Sequence, residues 1–103
     1  MTTKYQIIYW RDIPAQVKVR AGRTRLGRPL STRFEQAIDQ AAMHAGLINQ
    51  DDYLGEWRQT EWQERAGDPE TVIEVLITEL EEAYTRDHLR ELSRNGGREV
   101  GEG

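Results

Sequence analysis

Tyr5-Gln6-Ile7-Ile8-Tyr9-Trp10-Arg11-Asp12-Ile13-Pro14-Ala15-Gln16-Val17-Lys18-Val19-Arg20 reads as two strands and the turn between them. The first half is rich in β-branched and aromatic residues, which fit a pleated surface. Its two faces, Tyr5/Ile7/Tyr9 and Gln6/Ile8/Trp10, both carry apolar side chains, so this strand is expected to be central and covered on both sides. Arg11-Asp12-Ile13-Pro14 interrupts it. Pro14 cannot donate a ladder hydrogen bond, and Asp12 is expected to close the turn by accepting backbone N–H bonds. From Ala15 to Arg20 the pattern alternates strictly: Ala15, Val17 and Val19 on one face, Gln16, Lys18 and Arg20 on the other. That is the period of a half-buried strand.

Beyond this hairpin, residues 21–30 (AGRTRLGRPL) combine glycine, proline and three arginines, and read as a basic loop that extends the second strand only briefly. A helix is expected from Ser31 or Thr32, with Thr32 and Glu35 at capping-box spacing and Phe34, Ile38, Ala41, Ala42 and Ala45 on one stripe. Gly46 followed by Leu47 supplies a left-handed stop. Asp51-Asp52 marks a turn. Trp57–Gln63 is expected to be a third strand, with a helix through Glu61–Glu64 as the alternative reading. Asp68-Pro69-Glu70 opens a second helix, with Val72, Ile73, Leu76, Ile77, Leu80, Ala83 and Tyr84 inward, continuing to Arg94 and stopping at Asn95-Gly96.

The order is therefore ββαβα. It predicts an α+β two-layer sandwich with a three-stranded mixed sheet, order 2-1-3, and two helices on one face, similar to part of a ferredoxin-like fold. The third strand should lie beside the first and run parallel to the second. Residues 1–95 form one domain, and 96–103 are expected to be a disordered tail. Ile7 or Ile8, Val17, Val19, Phe34, Ile38, Leu76, Ile77 and Leu80 are the expected core.

Charge is sorted along the chain. Up to Arg33 there are eight lysines and arginines against one acid, Asp12; from Phe34 onward there are six bases and seventeen acids. The overall charge of -4 thus hides a basic and an acidic half. Such asymmetry bears on partners and names no reaction. The chain contains no cysteine, which excludes disulfides, thiol nucleophiles and thiolate ligands. The apolar run at the N-terminus, Ile7 to Trp10, is far too short for a signal peptide or a membrane span, and a cytoplasmic location without membrane attachment is expected.

The chemical inventory is thin. His44 and His88, the two histidines, have no companions at a metal-ligand spacing, so no metal and no cofactor is expected. Asp51/Asp52 and Glu81/Glu82 are adjacent acids, but in so acidic a chain they read as turn and surface residues. Gly22-Arg23-Thr24-Arg25-Leu26-Gly27-Arg28 has the G-x-x-x-x-G spacing without the Lys-Ser/Thr of a nucleotide-binding P-loop. As an arginine-rich loop it is a candidate site for a phosphate or carboxylate. On the polar side of the hairpin, Lys18 and Arg20 share a face with Trp10 or Tyr9, which suggests a stacking platform for a planar ligand or a base. The plainer readings are a subunit interface, including a homodimer, or shielding by arginine stems. The candidate binding residues are Trp10, Lys18, Arg20, Arg23, Arg25 and Arg28, with Arg11 and Asp12 as turn residues of possible function. No catalytic residue stands out, and the chain does not read as an enzyme.

The stretch from Tyr5 to Val17, and Trp10 to Val17 most specifically, resembles a small bacterial family of "virulence factor" domains. In these a strand ends in a Tyr/Trp-Arg-Asp-Ile-Pro turn followed by Gln-Val. The domain also occurs in larger proteins of the conserved virulence factor C type, beside helical repeats. The resemblance extends to about Asn95 and carries over no catalytic residues. Through the surroundings of stand-alone relatives it implies an accessory role in folate- and corrinoid-dependent one-carbon metabolism. Together these readings point to a small non-catalytic accessory or protein-interaction domain whose partner is an acidic protein or a phosphorylated ligand. A phosphate- or nucleotide-binding domain is the first alternative and a nucleic-acid-binding module the second.

Overall fold

The computed structural model describes residues 1–47 and 49–99. The opening hairpin forms as its alternation dictates: β1 (Thr2–Trp10) pairs antiparallel with β2 (Ile13–Ala21), with Ile7 opposite Val17 and Tyr5 opposite Val19. The register slips between Ile8 and Tyr9, where Ile8 faces Gln16 but Tyr9 faces Pro14, leaving Ala15 as the extra residue of a bulge. A bulge next to a residue without an N–H is where a ladder tolerates interruption. The freed carbonyl of Ala15 accepts from Leu30 N at 2.9 Å.

The chain continues as β3 (Thr24–Pro29), α1 (Thr32–His44), α2 (Gln50–Leu54), β4 (Trp57–Gln59), β5 (Gln63–Ala66), α3 (Pro69–Ala83) and α4 (Arg86–Arg94). Strand order is β3-β2-β1-β4, with β5 also on β1, and every pair is antiparallel. The α+β class stands, and the strands after the crossover lie beside β1 and run in the direction of β2. The sheet, however, has five strands where three were expected, and it is antiparallel throughout rather than mixed. The supposed basic loop is an edge strand, β3, joined to β2 by the two-residue turn Gly22-Arg23, with Gly22 at φ 57°. Arginine, glycine and proline on this strand mask its identity, and they are what edge strands carry to resist further pairing. The single strand expected over Trp57–Gln63 is split at Thr60. There Thr60 N donates to Ile7 O and Thr60 Oγ1 accepts from Ile7 N, both at 3.0 Å, so one residue replaces the ladder while the chain steps away.

Among the described residues the two expected helices become four. The long second helix breaks at Tyr84, whose ψ of 83° is not helical, and Thr85 caps α4 by accepting from His88 N at 3.2 Å. Asn49 caps the short α2 through Asp51 N. Asp68 caps α3 through Thr71 N, with Pro69 at its first turn. The capping box expected at Thr32/Glu35 does not form: Ser31 is the cap residue, and its N–H and hydroxyl both donate to the Glu81 carboxylate. At the other end of α1, Gly46 (φ 72°) donates to Met43 O and Leu47 to Ala42 O, the paired bonds of a Schellman stop.

The helices do not share one face of the sheet. α3 lays Val72, Ile73 and Leu76 on Val17 and Val19, with Tyr5, Ile7 and Leu26 at the margin. α1 and α4 pack together around Trp10, Ile13 and Leu30 through Phe34, Ala37, Ile38, Ala41, Leu89 and Leu92. Ile77 and Leu80 touch both clusters and join them into one core. Val17, Val19, Phe34, Ile38 and Leu76 are buried as expected; Ile7, Ile77 and Leu80 are partly buried.

The C-terminal segment folds back on the first turn. Gly96 and Gly97 are buried, Asp12 N donates to Gly97 O at 2.8 Å, and Glu99 N donates to Asp12 Oδ2 at 2.7 Å. Residues 96–99 thus form a strap across the first turn. Residues 100–103 of the expected tail lie outside the described part.

Candidate functional site

Parity along the antiparallel strands decides which basic side chains meet. Lys4 lies opposite Arg20, which lies opposite Arg25; Gln6 lies opposite Lys18, which lies opposite Gly27. Directly opposed residues project from the same face, so Lys4, Lys18, Arg20 and Arg25 share the face away from Val17 and Val19. Arg28 lies opposite Val17 and points to the α3 side. Arg23 sits in the exposed turn. The expected cluster therefore divides: Lys18, Arg20 and Arg25 come together with Lys4, Arg23 stands at the tip, and Arg28 is on the other side.

Trp10, expected on this open face, is fully buried. Its parity places it there, but the Trp10 end of the face is roofed. Its indole N–H donates to Tyr53 O at 2.9 Å and its ring stacks tilted on Tyr53. A Cβ built on Gly97 (φ 90°) would lie 2.8 Å from a Trp10 ring carbon, so the glycine backbone itself closes over the ring. The aromatic of the open face is instead Trp62, in the connection between β4 and β5, about one-third exposed, with the Arg20 guanidinium 4.2 Å from its ring centroid.

Two cavities flank Arg20 and Arg25, which line both. One, of about 320 Å³, is bordered by Thr2, Lys4, Gly22 and Glu64. The other, of about 310 Å³, is bordered by Lys18, Val19, Leu26, Gly27 and Trp62. Gly27 has no side chain to fill the floor opposite Lys18. The G-x-x-x-x-G spacing thus marks a turn and a cavity floor, not a phosphate-cradling loop. Sequence reading missed Lys4, Gly27 and Trp62. Register through the β1–β2 pairing brings in Lys4, and register through the β2–β3 hairpin brings in Gly27; Trp62 depends on where the strand breaks.

Arg11 and Asp12 serve structure. Arg11 takes the left-handed conformation, φ 53°, the one non-glycine residue to do so among the described residues. Its guanidinium donates to Gly96 O at 2.9 Å and pairs with Glu56 at 3.1 Å. Asp12 accepts from the strap rather than from its own turn and pairs with Arg58 at 3.4 Å. The Trp-Arg-Asp-Ile-Pro turn is therefore a socket for the C-terminal strap.

A second polar group lies at the α3–α4 break. Burial, then the neighbouring Tyr9, Glu99 and Asp12, push the Tyr84 phenol up to about 12, so it stays neutral. His88 sits edge-on to Tyr84 and pairs with Glu99 at 2.8 Å. The cavity beside His88, about 180 Å³, is bordered by Glu91, Leu92 and Glu99. No three His, Asp or Glu side chains converge as a metal site among the described residues. No helix among them is long and apolar enough to cross a membrane.

These features define a small α+β domain whose five-stranded antiparallel sheet is closed by helices at one end and open and basic at the other. Residues 8–92 match the family model described as Virulence factor, and because the match spans most of the chain, this protein belongs to that family. No curated protein and no solved structure matches it.

Proposed function

We propose that this domain is a non-catalytic accessory module that binds an anionic partner, an acidic protein surface or a phosphorylated ligand, on the open sheet face around Arg20 and Arg25. The observation that carries the reading is the distribution of ion pairs. Arg11, Arg33, Arg58, Arg65 and Arg98 are engaged by Glu56, Glu81, Asp12 and Glu79. Lys4, Lys18, Arg20, Arg23, Arg25 and Arg28 make no ion pair among the described residues. Glu56, Glu79, Glu81 and Asp12 thus neutralise arginines that tie the fold together; among the described residues Arg86 and Arg94 of α4 also lack an ion pair, but Lys4, Arg20 and Arg25 converge on one cavity. Arginine forks suit planar, bidentate capture of carboxylate or phosphate better than lysine does.

A nucleic acid tracking along the whole sheet is less well supported, because the cavity at the far end, beside Trp57 and Ile8, is bordered by Glu35 and Asp39. An enzyme is also less well supported: the one strongly shifted group among the described residues, Tyr84, is held as a neutral phenol and not as an activated base. The one-carbon connection implied by the family resemblance belongs to this same proposal. It predicts that a methyltransferase or reductase subunit co-purifies with the protein from its source cells.

The test compares two double variants of equal charge. Arg20→Gln/Arg25→Gln should abolish retention on immobilised poly-L-glutamate at low salt, while Arg86→Gln/Arg94→Gln should leave it intact. Wild-type retention should also fall with salt, since exposed charges are screened beyond about 8 Å at physiological ionic strength. Equal retention by both variants would remove the site from the open face.

A further inference from the structure

We infer that the open face takes a planar ring joined to a phosphate, a nucleoside monophosphate or an aryl phosphate, with the phosphate at Lys4/Arg20/Arg25 and the ring against Trp62 over Gly27. This rests on the anion-binding reading above and names its ligand class. The two cavities differ in chemistry while sharing two arginines. Around the first, three cations (Lys4, Arg20, Arg25) face one carboxylate (Glu64), a net charge of +2. That complements a phosphate monoester, which carries about -1.5 to -2 at neutral pH. A single carboxylate would leave one of these positive charges unanswered.

The second cavity has what a ring needs. Trp62 offers an aromatic wall, and base–aromatic or ring–aromatic stacking is tolerant of ring identity. The floor is strand backbone at Gly27, where a Cβ would come within 3.2 Å of the Gln16 side-chain amide and 4.0 Å of Lys18 Cγ. Any other residue here would stand in the space a flat ligand occupies. Arg20 links the two halves. Its guanidinium is stacked on Trp62, so its fork is held in place before the ligand arrives, and less side-chain freedom is lost on binding. Each cavity is near the lower limit for small-ligand sites, about 300 Å³; a ligand spanning both is of mononucleotide size.

Gly27 also gives the cleanest test. Its backbone is ordinary strand, with no positive φ, so Val is conformationally acceptable there and the flexible Gln16 amide can move aside. Calorimetric titrations use AMP, phenyl phosphate, adenosine and inorganic phosphate as probes. AMP or phenyl phosphate should bind at least tenfold more tightly than inorganic phosphate, and adenosine alone should bind weakly. Preference for AMP identifies a nucleoside source, and preference for phenyl phosphate an aryl source. Gly27→Val should reduce the better ligand to the affinity of inorganic phosphate with an unchanged or raised melting temperature. Trp62→Ala, at an exposed position, should do the same by removing the wall. If the ring-bearing ligands bind no better than inorganic phosphate, or Gly27→Val binds them like wild type, the inference fails while the anion-binding reading stands. If neither inorganic phosphate nor poly-L-glutamate binds, both fail.

Discussion

Gly97→Ala isolates the packing of the C-terminal strap on the first turn. Gly97 has φ 90°, and an added Cβ would meet Trp10 ring carbons at 2.8 and 3.2 Å and the Ala41 methyl at 3.4 Å. Two costs combine. A non-glycine residue in the left-handed region costs roughly 1–2 kcal/mol. Forcing a methyl into a filled site adds about 1–3 kcal/mol, because the buried Trp10 ring, anchored through its N–H to Tyr53 O, cannot swing away. The expected loss is therefore about 2–5 kcal/mol, a large share of the stability of a domain this size. Gly22→Ala is the control: its φ is 57°, but nothing lies within 4 Å of the new Cβ, so only the backbone cost of roughly 1–2 kcal/mol applies. Urea unfolding followed by circular dichroism measures both. The reasoning is refuted if Gly97→Ala loses no more than Gly22→Ala, since the strap would then not be packed on Trp10.

Other outcomes follow from the same contacts. Leu76→Ala, in the cluster with Val17 and Val19, should cost roughly 2–5 kcal/mol in the same assay. Arg33→Ala should cost about 1–3 kcal/mol, because the guanidinium donates to Glu81 O and Tyr84 O at the C-terminal end of α3 and pairs with Glu81; a change below 0.5 kcal/mol would contradict that role. The Arg65 side chain lowers the Glu79 carboxyl, and Thr71 lowers that of Asp68. Groups depressed in the folded state contribute above their unfolded values, about 4, so stability should fall as pH drops through that range, and less steeply in Glu79→Gln. Tyr84 behaves oppositely: its contribution is full below about 10, the unfolded value, and is lost as pH rises toward the folded value of about 12. Alkaline melting curves should therefore show a shallower loss between pH 10 and 11 in Tyr84→Phe.

What could be read in advance was what rests on local period. The alternation of Gln16–Arg20, the stripe of α1, the Gly46-Leu47 stop and the Asp68-Pro69 start all form, whereas Ala15, expected on the face of Val17 and Val19, is taken up by the bulge. What could not be read depended on tertiary partners. β3 has one apolar residue in six and exists because β2 offers it an edge. The break at Tyr84-Thr85 lies inside an apolar period that continues across it, and only the packing of α4 on α1 shows why the chain turns there. Arg33, whose charge opposes the helix dipole at the start of α1, answers the carbonyl end of α3, 48 and 51 residues away. On the open face, the strand period puts Lys18 and Arg20 side by side. It could not show that Trp10 is roofed by α1 and the strap, nor that Trp62 takes its place, because both depend on how distant segments close over one face.

The most direct measurement of the central claim is an NMR titration of the protein with inorganic phosphate at low ionic strength, following backbone amides, arginine Nε–H groups and the tryptophan indoles. Saturable shifts are expected only at Lys4, Lys18, Arg20 to Gly22, Arg25, Gly27 and the Trp62 indole, with the buried Trp10 indole unmoved and the shifts reversed by salt. Shifts centred on Arg86, Arg90 and Arg94 of α4, or no saturable shift at all, would contradict it.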